Sequence, residues 1–193
     1  AVPVYASYGT FDGLSGEKIF SRMNKGAFCL IRPGEAFSAA GIDFLPAATL
    51  HDTKESLAYR GRKGSSSFAV ITDLGCWTED LAEKMEGLSV LCLEANHDLR
   101  MLEAGPYPYP LKLRIRSERG HLSNDYAAGL LLRLWHPGLK EVLLSHLSKE
   151  NNLPDLAFLT VCQEVTKGYN PYRAEDFDIR VASRTEPSGI VEF

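Results

Sequence analysis

Several things are scarce in this 193-residue chain, and each absence excludes a class of protein. No apolar run reaches the roughly 20 residues a membrane span needs, so a membrane-spanning protein is not expected. Basic charge is not in excess: the formal net charge is -4, which excludes a global field drawing in nucleic acid. Nucleic-acid contact would need a local basic patch. The four cysteines, Cys29, Cys76, Cys92 and Cys162, are far apart and form no C-x-x-C pair. That pattern points to reduced thiols in a cytoplasmic protein, not to a disulfide framework or a cysteine zinc site. Glycine-rich phosphate loops and G-x-S-x-G nucleophile elbows are missing, as are internal repeats and low-complexity segments. The opening Ala1-Val2-Pro3-Val4-Tyr5 lacks a Met and reads as a strand with no lead-in. The expectation is a piece of something longer, without a signal-peptide pattern.

What is present is ordinary in bulk and unusual in placement. Hydrophobic residues are 45% and charged residues 24%, which suits one globular domain over 1–193. The first part of the chain reads as strands: Val2 to Ala6, Ala27 to Arg32, Ala36 to Ala39, Ile42 to Leu50, and a hairpin of Leu57 to Arg60 with Ser67 to Thr72 across Gly61–Gly64. A short amphipathic helix is expected over Ser15 to Met23. From Thr78 onward strands and helices alternate. Thr78, Asp98 and Ser123 or Asn124 are helix N-caps, strands run over Leu88 to Leu93 and Val142 to Ser145, a helix spans Asp155 to Lys167, and Phe177 to Ala182 closes the chain. Pro106-Tyr107-Pro108-Tyr109-Pro110 reads as a rigid break, and the tail as frayed. Strands first and βα units after predict a layered α/β fold with mixed sheets.

Metal-ligand residue types fall repeatedly where apolar runs stop. Leu143-Leu144-Ser145 ends on His146, Thr49-Leu50 on His51, and Val70-Ile71-Thr72 on Asp73. Leu91-Cys92-Leu93 runs into Glu94-Ala95-Asn96-His97-Asp98. Ligands collect outside the carboxyl ends of strands in α/β sheets, and imidazole with carboxylate is the usual donor set for zinc and similar ions. Any one such residue is commonly a surface or turn residue; several at strand ends together point to a metal site. His136, before Pro137 in a helix-ending turn, is read as structural. The segment Lys112 to Arg119 is either a solvated helix face or a phosphate-binding face beside the following helix start.

These segments, with Tyr107-Pro108, Gly120-His121-Leu122-Ser123-Asn124 and Asn151-Asn152, resemble the metallo-β-lactamase-fold hydrolases, and within them the WalJ/YycJ-like branch. The resemblance implies an αββα sandwich with a dinuclear metal site at one edge. Carried over, His51 would complete one metal site, Asp73 would bridge both metals, and His146 would ligate the second. The cofactors implied are two divalent ions, zinc or manganese. Asp73, His146 and His97 would form the catalytic set, with His121, Ser123, Asn124, Lys112 and Arg114 on the substrate side. His97 and His121 belong to the branch and would lie near substrate phosphate or leaving group. The implied reaction is two-metal hydrolysis of a phosphodiester, an exonucleolytic attack on DNA by a metal-bridging hydroxide. The family's H-x-H-x-D-H loop is not in this sequence, so the chain resembles the larger, C-terminal part of such a protein. Rival readings are a small-ester or thioester hydrolase on the same fold and a non-catalytic fragment. An edge left open by the missing part would favour homo-oligomers.

Overall fold

A computed structural model describes residues 2–22, 24–167 and 171–192. Among them, nine strands form two sheets. A small parallel pair joins β1 (Val4–Ala6) to β2 (Phe28–Leu30). The large sheet has seven strands in chain order: β3 (Phe37–Ala39), β4 (Ile42–Ala48), β5 (Leu57–Lys63), β6 (Ser66–Ile71), β7 (Val90–Glu94), β8 (Glu141–Ser145) and β9 (Ile179–Val181). The β3 to β6 half is antiparallel, and the β6 to β9 half is parallel. The mixed, layered α/β architecture expected from the sequence is therefore present.

The switch from hairpins to crossovers follows from sequence. Within the large sheet, helices intervene only after β6: α3 (Glu79–Lys84) precedes β7, α6 (Asn124–Leu134) precedes β8, and α7 (Pro154–Lys167) precedes β9. Parallel neighbours need such crossovers. Thr78 and Ser123 cap α3 and α6 by accepting from Leu81 and Tyr126 backbone N–H groups, as their positions before apolar-periodic runs predict. In α6, Ala127, Leu130, Leu131 and Leu134 recur at helical spacing, and all are buried. They pack with Met85 at the C-cap of α3 and Val161 of α7 on Ala69, Ile71, Leu91, Leu93, Val142 and Leu144 of the sheet. Burial of each such leucine stabilises the fold by about 2 kcal/mol.

The opposite face of the large sheet meets the small sheet through aromatics. Tyr5 stacks on Phe37 at 4.9 Å and Phe37 on Phe44 at 5.3 Å, with Phe68 edge-on to Phe44 at 6.3 Å. Beyond the small sheet, Phe11 of α1 (Tyr8–Leu14) and Phe20 of α2 (Lys18–Arg22) stack on Phe28. The layers run helix, sheet, sheet, helix.

Three local expectations differ. The first helical stretch is two helices, α1 and α2, and Met23 lies outside the described residues. The hairpin turn is Gly64-Ser65, because β5 continues through Gly61, over which the Phe68 ring lies; a Cβ at Gly61 would sit 2.4 Å from that ring. The proline run opens a helix, α5 (Tyr109–Arg116), since proline is tolerated in a first turn. A further short helix, α4 (Leu99–Ala104), is capped by Asp98 as expected.

Candidate metal centre

Three adjacent parallel strands deliver their next residues to one edge of the sheet. Beyond β6 stands Asp73, β7 ends on Glu94, and directly after β8 comes His146. Asp73 has φ 57° and His146 φ 56°, the left-handed region that non-glycine residues seldom occupy. Strain of this kind, about 1–3 kcal/mol each, persists where surrounding structure holds it and gathers at functional sites. His51 arrives from the far end of β4, three residues past its last pair.

His121 comes from a loop, and two glycines explain how. A Cβ on Gly75 would lie 2.2 Å from the Ser117 carbonyl oxygen, and one on Gly120 would lie 2.1 Å from that of Ile115. Without side chains there, the loop between α5 and α6 presses against the loop after Asp73. The Gly120 carbonyl accepts a hydrogen bond from His51 Nδ1 at 2.7 Å, which fixes that tautomer and leaves Nε2 as the lone-pair atom. The Arg119 guanidinium donates to the His51 carbonyl.

Around Asp73 Oδ1 stand three imidazoles: His51 Nε2 at 3.6 Å, His146 Nδ1 at 3.8 Å and His121 Nδ1 at 3.9 Å. Beneath them is Glu94, fully buried. Its Oε1 accepts from His121 Nδ1 at 2.7 Å and His146 Nδ1 at 2.9 Å, and its Oε2 accepts from the Leu74 N–H at 3.1 Å. Burial would raise the Glu94 pKa, but the two imidazole hydrogen bonds and charges outweigh it, so the carboxyl lies below its ordinary range. The Glu94 hydrogen bond in turn raises the His146 pKa, against the opposing effect of its burial.

The donor set suits a divalent cation. His51, Asp73 and His121 form one group with ligand atoms within 4.8 Å of one another, and Glu94, His121 and His146 form a second. Two ligands of a tetrahedral zinc, each about 2.0–2.2 Å from the ion, are about 3.3–3.5 Å apart, close to the His51–Asp73 spacing. Carboxylates that orient imidazoles from behind are the usual outer partners of such ligands, the place Glu94 takes. In sequence Glu94 stands out only within the strand-end segment Glu94–Asp98, with no role of its own.

The other expected site residues are distributed as follows. His97 lies beside Glu94 and is 1% exposed, with neither ring nitrogen hydrogen-bonded. Burial pushes its pKa down to about 4. Ser123 caps α6, and Asn124 is fully buried in a reciprocal amide pair with Asn152. Lys112 donates to the Glu103 carbonyl, and Arg114 grips Asp52 through both Nε and Nη2, holding that carboxyl below its usual range. The structure thus brings His51, Asp73, His121 and His146 together, with His97 adjoining; Lys112 and Arg114 are engaged by their own neighbours. His136 Nε2 donates to the Leu88 carbonyl, a contact that ties its turn to the core.

The fold is that of the metallo-β-lactamase-fold proteins. The chain is similar to exodeoxyribonuclease WalJ of Streptococcus pneumoniae, 31% identical over 164 residues, which cover 85% of this chain and 61% of that protein. It is 28% identical over 190 residues to exodeoxyribonuclease YycJ of Bacillus anthracis, covering 98% of this chain and 70% of that protein. Among solved structures, the metallo-β-lactamase fold protein YhfI from Bacillus subtilis matches with a TM-score of 0.67 at 16% identity, over 97% of this chain and 63% of that one. The chain therefore spans about 61% of the length of the WalJ relative. No family model matches the chain. Among the described residues, no helix is long and apolar enough to cross a membrane.

Proposed function

We propose that this chain carries the carboxylate and histidine half of a metal-dependent phosphodiesterase site that cleaves DNA. One observation carries the reading: three imidazoles converge on a single Asp73 oxygen, each with its Nδ1 held by a hydrogen bond from behind. The hydrogen bonds fix the orientation of three imidazole rings around one carboxylate at no further cost in side-chain freedom. His51, Asp73 and His146 would hold divalent metal, zinc or manganese. When bound, such ions supply Lewis acidity and lower the pKa of water toward neutrality.

The chain's own residues divide the remaining work. Asp73 supplies the negative charge around which the imidazoles gather and which would help hold the cations. Glu94 fixes the His121 and His146 rings and stabilises a positive charge on either. His121, partly exposed, can then hold a proton at Nε2 for the oxygen that departs from phosphorus, as general acids do within hydrogen-bond reach. The similarity to proteins named exodeoxyribonucleases supports DNA over a small ester as the substrate.

The test is degradation of end-labelled duplex DNA by the chain with zinc or manganese, beside cleavage of a small nitrophenyl ester. DNA degradation that is lost in Asp73→Ala, with folding intact by circular dichroism, is expected. Ester cleavage without DNA degradation would replace this reading with the esterase one. Loss of neither activity on substitution of Asp73 would remove the assignment.

A further inference from the structure

Between β7, which ends on Glu94, and α4, which starts at Leu99, runs a short segment threaded between two other loops. Ala95 N–H donates to the Ser145 carbonyl at 3.0 Å, and Asn96 N–H to that of Leu122 at 2.8 Å. The Asn96 carbonyl accepts from Ser148 N–H at 2.7 Å, and the His97 carbonyl from Asn124 N–H at 3.0 Å. Leu122 directly follows His121, and His146 lies between Ser145 and Ser148. One segment therefore joins the two loops that present His121 and His146 to the metal centre. We infer that Asn96 is a positioning residue, whose side-chain amide holds the His146 backbone in the left-handed conformation that aims its ring at Asp73 and Glu94. The inference rests on the metal-site reading for its consequence and on hydrogen bonds alone for its geometry.

The Asn96 amide Nδ2 donates to the His146 carbonyl oxygen at 2.9 Å. A carbonyl oxygen only accepts, so the nitrogen of the amide must be the atom that faces it. Asn96 is 8% exposed, which leaves water little room to replace that bond. His146 needs the restraint. Its φ of 56° is one that a histidine leaves readily unless neighbouring structure holds it. In an ordinary backbone conformation its Cα–Cβ bond would point elsewhere. Its Nδ1 could then not stay 2.9 Å from Glu94 Oε1 and 3.8 Å from Asp73 Oδ1. Packing does little of this work, because the His146 side chain is 43% exposed. Glu94 fixes the ring from its far end, and Asn96 fixes the peptide that carries it.

Substitution separates the two contributions of Asn96. Its backbone bonds to Leu122 and Ser148 survive a change of side chain, whereas the bond to His146 does not. A side-chain change should therefore act on His146 and spare His121. It should also spare His51, whose Nδ1 bond goes to Gly120. Asn152 provides the comparison. It is buried like Asn96, but its amide bonds go to Ala95, Asn124 and Leu153.

The experiment records histidine side-chain nitrogen spectra of the whole chain in EDTA, then titrates zinc by calorimetry. Wild type is compared with Asn96→Leu, which keeps the size of the side chain and loses its donor, and with Asn152→Ala. In Asn96→Leu, His146 should lose its preference for a proton on Nδ1, while His51 and His121 keep theirs. Zinc should bind that variant about tenfold more weakly, as it does when an outer partner of a ligand is removed. Asn152→Ala should lose stability to urea yet keep all three histidine signals and the wild-type zinc affinity. If Asn96→Leu fails to fold, Asn96→Ser, polar but too short to reach His146, takes its place. Failure of both to fold would make Asn96 a merely structural residue and overturn the inference. His146 signals unmoved in the folded variant would overturn it, as would the same change in Asn152→Ala or equal zinc affinities. The spectra need no metal, so a wild type that bound no zinc would remove the metal reading and leave the positioning of His146 to be decided by them.

Discussion

Replacing Glu94 with alanine removes one buried carboxylate and leaves three donors without an acceptor. Those donors are His121 Nδ1, His146 Nδ1 and the Leu74 N–H. They do not lose equally. The side chains of His121 and His146 are 21% and 43% exposed, so water can reach them once the cavity opens. Leu74 is fully buried, and its N–H is stranded. A trapped donor costs about 1–3 kcal/mol, and the two charge-assisted bonds about as much each before resolvation. Relief of the carboxylate's own burial offsets part of this. The expected net destabilisation is about 3 kcal/mol, which for a domain of this size lowers Tm by about 6–12 °C. Urea denaturation in EDTA measures it. Nitrogen NMR of the histidines gives a second readout: both His121 and His146 should carry their proton on Nδ1 in the wild type and lose that preference in Glu94→Ala. A variant within 0.5 kcal/mol of wild type with tautomers unchanged would refute the role given to Glu94.

Two further predictions come from the same structure. His97 sits at a pKa of about 4 in the folded protein against the ordinary 6.5, so between those values the unfolded chain binds a proton that the folded chain refuses. Stability is therefore full above 6.5 and falls as pH drops through the window; between pH 7.5 and 4.5 wild type should lose about 2 kcal/mol more than His97→Leu, measured by urea denaturation in EDTA. Equal losses would contradict the burial argument. At Gly120 an alanine Cβ would collide with the Arg114 and Ile115 carbonyls, so Gly120→Ala should displace the loop, break the His51 Nδ1 bond and cost about 2–3 kcal/mol in thermal unfolding.

How much of this was legible in sequence depended on whether position alone carried the signal. Asp73 and His146 stand where apolar strands stop, and the structure sets them at one sheet edge. The N-caps at Thr78, Asp98 and Ser123 were equally readable, because a short side-chain oxygen before a periodic run has few other uses. Glu94 is visible in sequence at a strand end but without a role, because only its two imidazole partners, 27 and 52 residues away, reveal its use. Helix α1 was missed since Gly9 and Gly13 lower its propensity, and Gly9 is required by packing: a Cβ there would sit 2.5 Å from Glu55 Cβ. Gly61 read as a turn for the same reason. In each case a long-range contact explains a residue that local rules assign elsewhere.

The claim at the centre is that Asp73 and the imidazoles around it bind a divalent ion. Calorimetric titration of the metal-stripped chain with zinc and with manganese tests it directly, with Asp73→Ala as the comparison. Saturable binding of at least one ion per chain, weakened tenfold or more in the variant, is the predicted result. Binding of the same stoichiometry and affinity in both proteins, or no binding by the wild type, would contradict it.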